Sequence, residues 1–172
     1  MLVSRAPARF VHFGLTPFNE QEGMMSTVDK TIEVNVPVQV AYNQWTQFED
    51  FPAFMEGITE VRQLDNTHLH WRADIAGKET EWDAEITEQV PDRRIAWHST
   101  SGATNDGMVS FESAGTDKTR VMLHLDYDPQ GFVENIGDAL GMVSRRVEGD
   151  LRRYKALLES RGSETGAWRG RV

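Results

Sequence analysis

There is no cysteine among the 172 residues, which excludes disulfides, thiolate nucleophiles and cysteine-ligated zinc. The absence fits a reducing, cytoplasmic setting. Cations are scarce too: 18 Lys and Arg stand against 27 Asp and Glu, a formal net charge of −9. That balance argues against a nucleic-acid partner, because phosphate binding rests on clustered Lys and Arg. Long apolar runs are missing. Nothing approaches the roughly 20 residues of a membrane helix, so no integral membrane segment is expected. A phosphate-cradling glycine loop, a dinucleotide fingerprint and a metalloprotease helix are absent as well, and no cofactor is expected.

What the chain does have is one long amphipathic segment, from Gly131 to Arg161. Phe132, Ile136, Leu140, Val143, Val147, Leu151, Tyr154 and Leu158 recur at helical spacing and draw an apolar stripe down one face. Asp128-Pro129 supplies a cap and a first-turn proline, and Gly162 a stop. Such a helix needs a surface to lie on. Residues 28–127 read as that surface, a curved antiparallel sheet. Ile32, Val34 and Val36 alternate with polar neighbours in a first strand, and Pro37 opens a short helix through Trp45. A compact aromatic turn, Phe48 to Met55, follows. Six further strands run Ile58–Leu64, His68–Ile75, Glu79–Gln89, Arg94–Ser101, Gly107–Ser113 and Thr119–Tyr127, with turn signals between them. The sequence therefore predicts an α+β domain over residues 28–161. Residues 1–27 read as a loose extension, with a working start at Met24 or Met25, and 162–172 as a frayed tail.

Choosing the apolar phase of each strand puts Leu69, Trp71, Trp82, Trp97, Val109, Phe111 and Leu123 on the inner face. That phase carries few polar groups: Thr80, Ser99 and Tyr127, with Tyr42 or Asn43 from the short helix. It carries no carboxylate and no histidine, so the acid–base pairing that catalysis needs is not visible. Tyr127, Ser99 and Tyr42 are the only catalytic candidates. The opposite phase holds His68, His70, Arg72 and the acidic run Glu79, Glu81, Asp83, Glu85. A His-x-His pair is a tempting metal motif, but two ligands beside an arginine on a solvated face do not make a zinc site. No metal is expected. The acidic run reads as a solvated face or a dock for a basic partner.

The order strand, two short helices, six strands, long helix resembles the START-like helix-grip superfamily, and within it the polyketide cyclase/dehydrase and coenzyme Q-binding group. The resemblance is carried by TIEVNVPVQVAYNQWTQFEDFPAFMEGITEV (Thr31–Val61), HWRADIAGKETEWDAEITEQVPDRRIAW (His70–Trp97) and the closing helix. It implies a cavity between sheet and long helix that takes an apolar or aromatic small molecule, such as a lipid, a quinone or an aromatic polyketide. Phe51, Phe54 and Met55 would line it from the short helices and Ile136 and Leu140 from the long one. From the sheet would come Leu69, Trp71, Trp82, Trp97, Val109, Phe111 and Leu123. The same rings read equally well as solid core. Gly137 and Gly141 thin the first half of the long helix, either as a gate for ligand or for close packing on the sheet. Three functions stay open. They are a binder or carrier of a hydrophobic molecule, a polyketide cyclase or dehydratase, and an interaction module using the acidic face.

Overall fold

The computed structural model describes residues 25–132 and 139–172. Seven antiparallel strands form one curled sheet in the order β1-β7-β6-β5-β4-β3-β2. They are β1 Ser26–Val34, β2 Ile58–Gln63, β3 His68–Ile75, β4 Lys78–Val90, β5 Arg94–Gly102, β6 Asn105–Gly115 and β7 Lys118–Tyr127. Every consecutive pair from β2 to β7 is a hairpin, so the sheet needs only one long crossing, from β1 to the far edge. In the β3–β4 turn Ala76 and Gly77 both have positive φ, 54° and 83°, the geometry of a two-residue hairpin turn, and Asp74 Oδ1 accepts the Gly77 N–H at 3.0 Å. Register shifts in the β4–β5 pair, at Asp83/Ala84 and Ile86/Glu88, go with the bend of the sheet.

Between β1 and β2 lie α1, Val38–Trp45, and a 3-10 turn, Phe48–Ala53. The long closing segment is helical at α2, Pro129–Phe132, and at α3, Ala139–Arg161. Asp128 Oδ1 caps the first turn by accepting the Gln130 N–H at 2.9 Å. At the other end Gly162 takes φ 68° and donates to the Leu158 carbonyl at 2.8 Å, the left-handed stop a glycine permits. Val143, Val147, Leu151, Tyr154 and Leu158 bury the apolar stripe of α3 against the concave side of the sheet. Among the described residues no helix is long and apolar enough to cross a membrane.

Two expectations about the ends need correction. Ser26 and Thr27 are strand, not extension: they pair with Tyr127 and Asp126 of β7. The tail after Gly162 is not frayed. Arg169 forms a two-pronged ion pair with Asp92 at 2.9 and 2.6 Å and also reaches Asn43. The Trp168 N–H meets Thr46 Oγ1, Gln44 accepts from the Thr165 N–H, and Val172 exchanges both backbone hydrogen bonds with Gln89. These contacts are polar and made one at a time, so they leave no periodic trace in the sequence.

Candidate functional site

The concave side of the sheet is not filled uniformly. At one end α1, the 3-10 turn and the C-terminal half of α3 press onto it. Trp45 meets Phe51, Phe111 and Tyr154 edge-on, at centroid distances of 5.5, 6.1 and 5.1 Å. The Tyr154 hydroxyl, deep in this cluster, donates to the Ala41 carbonyl at 2.6 Å, and burial holds its pKa well above that of a free tyrosine. At the other end the side chains do not close, and a cavity of about 120 Å³ remains. Its walls are Leu69, Trp71, Trp82, Trp97, Leu123, Leu125 and Tyr127 from the sheet, and Phe51, Phe54 and Met55 from the turn. Phe132 of α2 and Val143, Val147 and Leu151 of α3 line it too, as do Trp45 of α1 and Phe48, through which the hollow reaches the packed end. Trp71 stacks on Trp82 at 5.5 Å and 10°, and Phe132 bridges from Trp82 to Tyr127 at 5.4 and 6.2 Å. The Trp97 ring lies where any side chain at residue 107 would be, since a Cβ on Gly107 would come within 2.6 Å of it.

Not every expected residue reaches this space. Val109 and Phe111 are fully buried but line no part of the cavity; Phe111 is taken up by Tyr42 and Trp45 in the packed end. Tyr42 lies outside it as well, under the Arg169 guanidinium. Ser99 is turned aside, its Oγ donating to Asp106 Oδ1 at 2.9 Å. Thr80 donates to the Gly131 carbonyl at 2.9 Å and Asn43 to Glu164, so both are structural ties. Ile136 and Gly137 lie outside the described residues, as does the side chain of Leu140. Gly141 is described and sits on the exposed face of α3.

Of the three catalytic candidates only Tyr127 is in the cavity. Burial raises its pKa, so the hydroxyl keeps its proton and acts as a donor. Its oxygen has no hydrogen-bond partner among the described residues, and neither has Trp71 Nε1. Sequence reasoning missed the charged part of the wall. Arg146 and Asp150 of α3 and Glu56 border the cavity, with Asn105 of β6. Arg146 Nη1 donates to the Glu56 carbonyl at 2.9 Å, while its buried Nε has no partner. Asp150 accepts the Glu56 N–H at 2.8 Å; burial raises its pKa, and that N–H, Arg153 and Arg146 pull the other way. A signal existed: positions 146 and 150 fall three residues after Val143 and Val147 and so flank the buried stripe.

The outer face is a lattice of internal pairs. Arg72 Nε donates to Glu81 at 2.8 Å and also approaches Glu60, His70 meets Asp83 at 2.7 Å, and His98 approaches Glu85 at 3.7 Å. His68 is held by Asp65 at 2.9 Å, away from His70. The acidic run of β4 is thus largely answered by its neighbouring strands.

A family model described as polyketide cyclase/dehydrase and lipid transport matches residues 34–154. The chain belongs to this family. An uncharacterized 17.2 kDa protein of Streptomyces lincolnensis is 50% identical over 149 residues, covering 86% of this chain and 99% of its own length. Among solved structures, the Zhui aromatase/cyclase from Streptomyces sp. R1128 aligns with a TM-score of 0.67 at 15% identity, over 84% of this chain and 99% of that one. A START superfamily protein from Mycobacterium smegmatis aligns with a TM-score of 0.62 at 20% identity, over 78% and 95%. At these identities the two structures establish the helix-grip fold and not the chemistry performed on it.

Proposed function

We propose that this polyketide cyclase/dehydrase family member binds a hydrophobic, ring-containing small molecule in the cavity between sheet and α3, and carries or presents it. One observation supports this reading above the others: the aromatic wall stays open at one end of a core that is solidly packed at the other. Apolar concavities with a few placed polar groups are what small-molecule sites are made of. A volume of about 120 Å³ is close to that of the engineered apolar cavity, roughly 150 Å³, known to admit benzene, so a single ring fits and a larger guest must spread the walls. Native mass spectrometry of protein purified from cells, followed by thermal shift with quinones, fatty acids and aromatic polyketides, tests the reading. A retained mass or a rise in Tm with a ring compound is expected. Neither, across all three classes, would refute it.

A cyclase or dehydratase is the second reading, and Tyr127 favours it: it lines an apolar chamber and carries a buried, protonated hydroxyl of the kind that can donate to a substrate carbonyl. The buried carboxylate in the same wall, Asp150, is already occupied by the Glu56 N–H and Arg153. An assayed cyclisation that is indifferent to Tyr127→Phe would remove this reading.

A further inference from the structure

Among the described residues three charged side chains border the cavity, Glu56, Arg146 and Asp150, and they stand together. Arg146, Asp150 and Arg153 recur at steps of four and three, so they draw a polar stripe along α3 beside its apolar one. That stripe meets the loop Phe54–Gly57, whose backbone groups need partners of their own. Asp150 Oδ1 accepts the Glu56 N–H at 2.8 Å, Arg146 Nη1 donates to the Glu56 carbonyl at 2.9 Å, and Arg153 Nε donates to the Phe54 carbonyl at 2.8 Å. Arg153 also lies 3.5 Å from the Glu56 carboxylate. Beyond the loop Gly57 is fixed on β3: its carbonyl accepts the Asp74 N–H at 2.7 Å, and a Cβ there would come within 2.8 Å of the Asp74 carbonyl. The Glu56 side chain is 63% exposed and yet borders the cavity, so solvent and hollow are one residue apart at this seam. Elsewhere the wall is almost wholly apolar, and parting it would put rings into water. At the seam it is closed by hydrogen bonds near the surface, and water takes over each partner as they separate. Segments held in that way open ahead of the packed core. The opposite side of α3 is tied too, Lys155 to the Glu33 carbonyl at 2.7 Å and Glu148 to Lys30 at 3.5 Å, but none of these four borders the cavity.

We propose that guests enter and leave the cavity sideways, by parting of the seam between loop Phe54–Gly57 and α3, with Arg146, Asp150 and Arg153 as its latch. This rests on the binding reading and adds a route to it. Met55, half-buried on the wall at the same loop, is flexible enough to swing aside as the seam parts.

The test follows stopped-flow association and release of N-phenyl-1-naphthylamine, a neutral ring compound that fluoresces in apolar surroundings, with the full chain. Arg153 does not border the cavity, so Arg153→Met loosens the latch without touching the wall. Both rates should rise about fivefold at unchanged Kd, the worth of one lost hydrogen bond. A fall in Tm with both rates unmoved would make Arg153 a structural tie and overturn the inference. The chain has no cysteine, so a tether can be placed at will. Glu56→Cys with Arg153→Cys, joined by a short bismaleimide, should slow both rates at least about tenfold, while Lys30→Cys with Glu148→Cys, joined in the same way on the other side of α3, should leave them within about twofold. Equal slowing by both tethers, or none by either, would overturn the inference and leave the binding reading standing. No binding of the probe to the wild type would overturn both. Hydrogen exchange needs no variant: the Glu56 amide should exchange well ahead of the Tyr154 amide, and equal protection of the two would also overturn the inference.

Discussion

The two ends of this core are built from the same kinds of residue and do opposite things. At the packed end Phe111 and Tyr154 pack edge-on against Trp45, whose ring also borders the cavity, and the Tyr154 hydroxyl finds the Ala41 carbonyl. At the open end Trp71, Trp82, Phe132 and Tyr127 are stacked and edged just as well, yet a hollow remains and two of their polar atoms have no partner among the described residues. The packed end has a leftover pair of its own, the Tyr42 hydroxyl and the Gln89 amide, but these are neighbours of each other and line no cavity. Aromatic content therefore does not separate scaffold from site. What separates them is whether the rings border a hollow: Phe111 and Tyr154 do not, while Trp71, Trp82, Phe132 and Tyr127 do.

The strongest way to break this contrast is to truncate a ring at each end. Phe111→Ala should cost about 3–5 kcal/mol in urea unfolding, because it is buried against Tyr42 and Trp45 and lines no part of the cavity. Trp71→Ala, partly exposed and already beside a hollow, should cost well under half of that while weakening ligand binding. Equal losses would mean the two ends are packed alike. Filling rather than emptying sharpens the same point. Val109 and Leu123 face each other across β6 and β7, one fully buried and the other lining the cavity. Val109→Phe should destabilise by about 1–3 kcal/mol, since a packed site has no room. Leu123→Phe should fall within about 1 kcal/mol of wild type and reduce the thermal shift given by ring compounds.

How much of this could be read beforehand follows from what periodicity reports. The α3 stripe from Val143 to Leu158 and six hairpin-linked strands were legible because a buried face repeats every 3.6 or every 2 residues. The hollow was not. Trp71 and Trp97 alternate with polar neighbours just as Phe111 does, and Phe111 is covered by Tyr42 and Trp45 of α1 while the other two border the cavity. Phe111 was assigned to the site on its phase, and the phase was right while the depth was wrong. Arg146 and Asp150 escaped notice because a charged residue beside an apolar stripe reads as surface until a cavity is known to lie beneath it. The tail escaped because Arg169 meeting Asp92 across 77 positions has no pattern to betray it.

That tail offers a smaller test of the packed end. Ending the chain after Gly162 removes the Arg169–Asp92 pair, the Thr165–Gln44 bond and the backbone exchange between Val172 and Gln89. Exposed ion pairs contribute up to about 1 kcal/mol and each hydrogen bond about 1, so a loss of roughly 1–3 kcal/mol is expected. It should fall on stability alone. A shortened chain that keeps its full urea midpoint would show the tail to be a passenger; one that loses ligand binding at unchanged stability would move the tail into the site.

The smallest expected effect lies on the convex face, remote from both ends. His124 sits between Asp29 at 2.7 Å and Asp126 at 3.2 Å, and its pKa is raised, first by the hydrogen bond to Asp29. In the unfolded chain it titrates near 6.5. Folding therefore favours the protonated form, and the contribution is fully present below pH 6.5 and lost as pH rises through the raised folded value. The side chain is 42% exposed, so solvent screens most of it and only a slight fall in the urea midpoint between pH 6 and 8 is expected. Asp29→Asn should flatten that slope and lower the His124 pKa followed by NMR. Because α3, the aromatic wall and the cavity are all on the other side of the sheet, ligand affinity should not follow this titration; if it does, the convex face is coupled to the open end and the division drawn between them is too sharp.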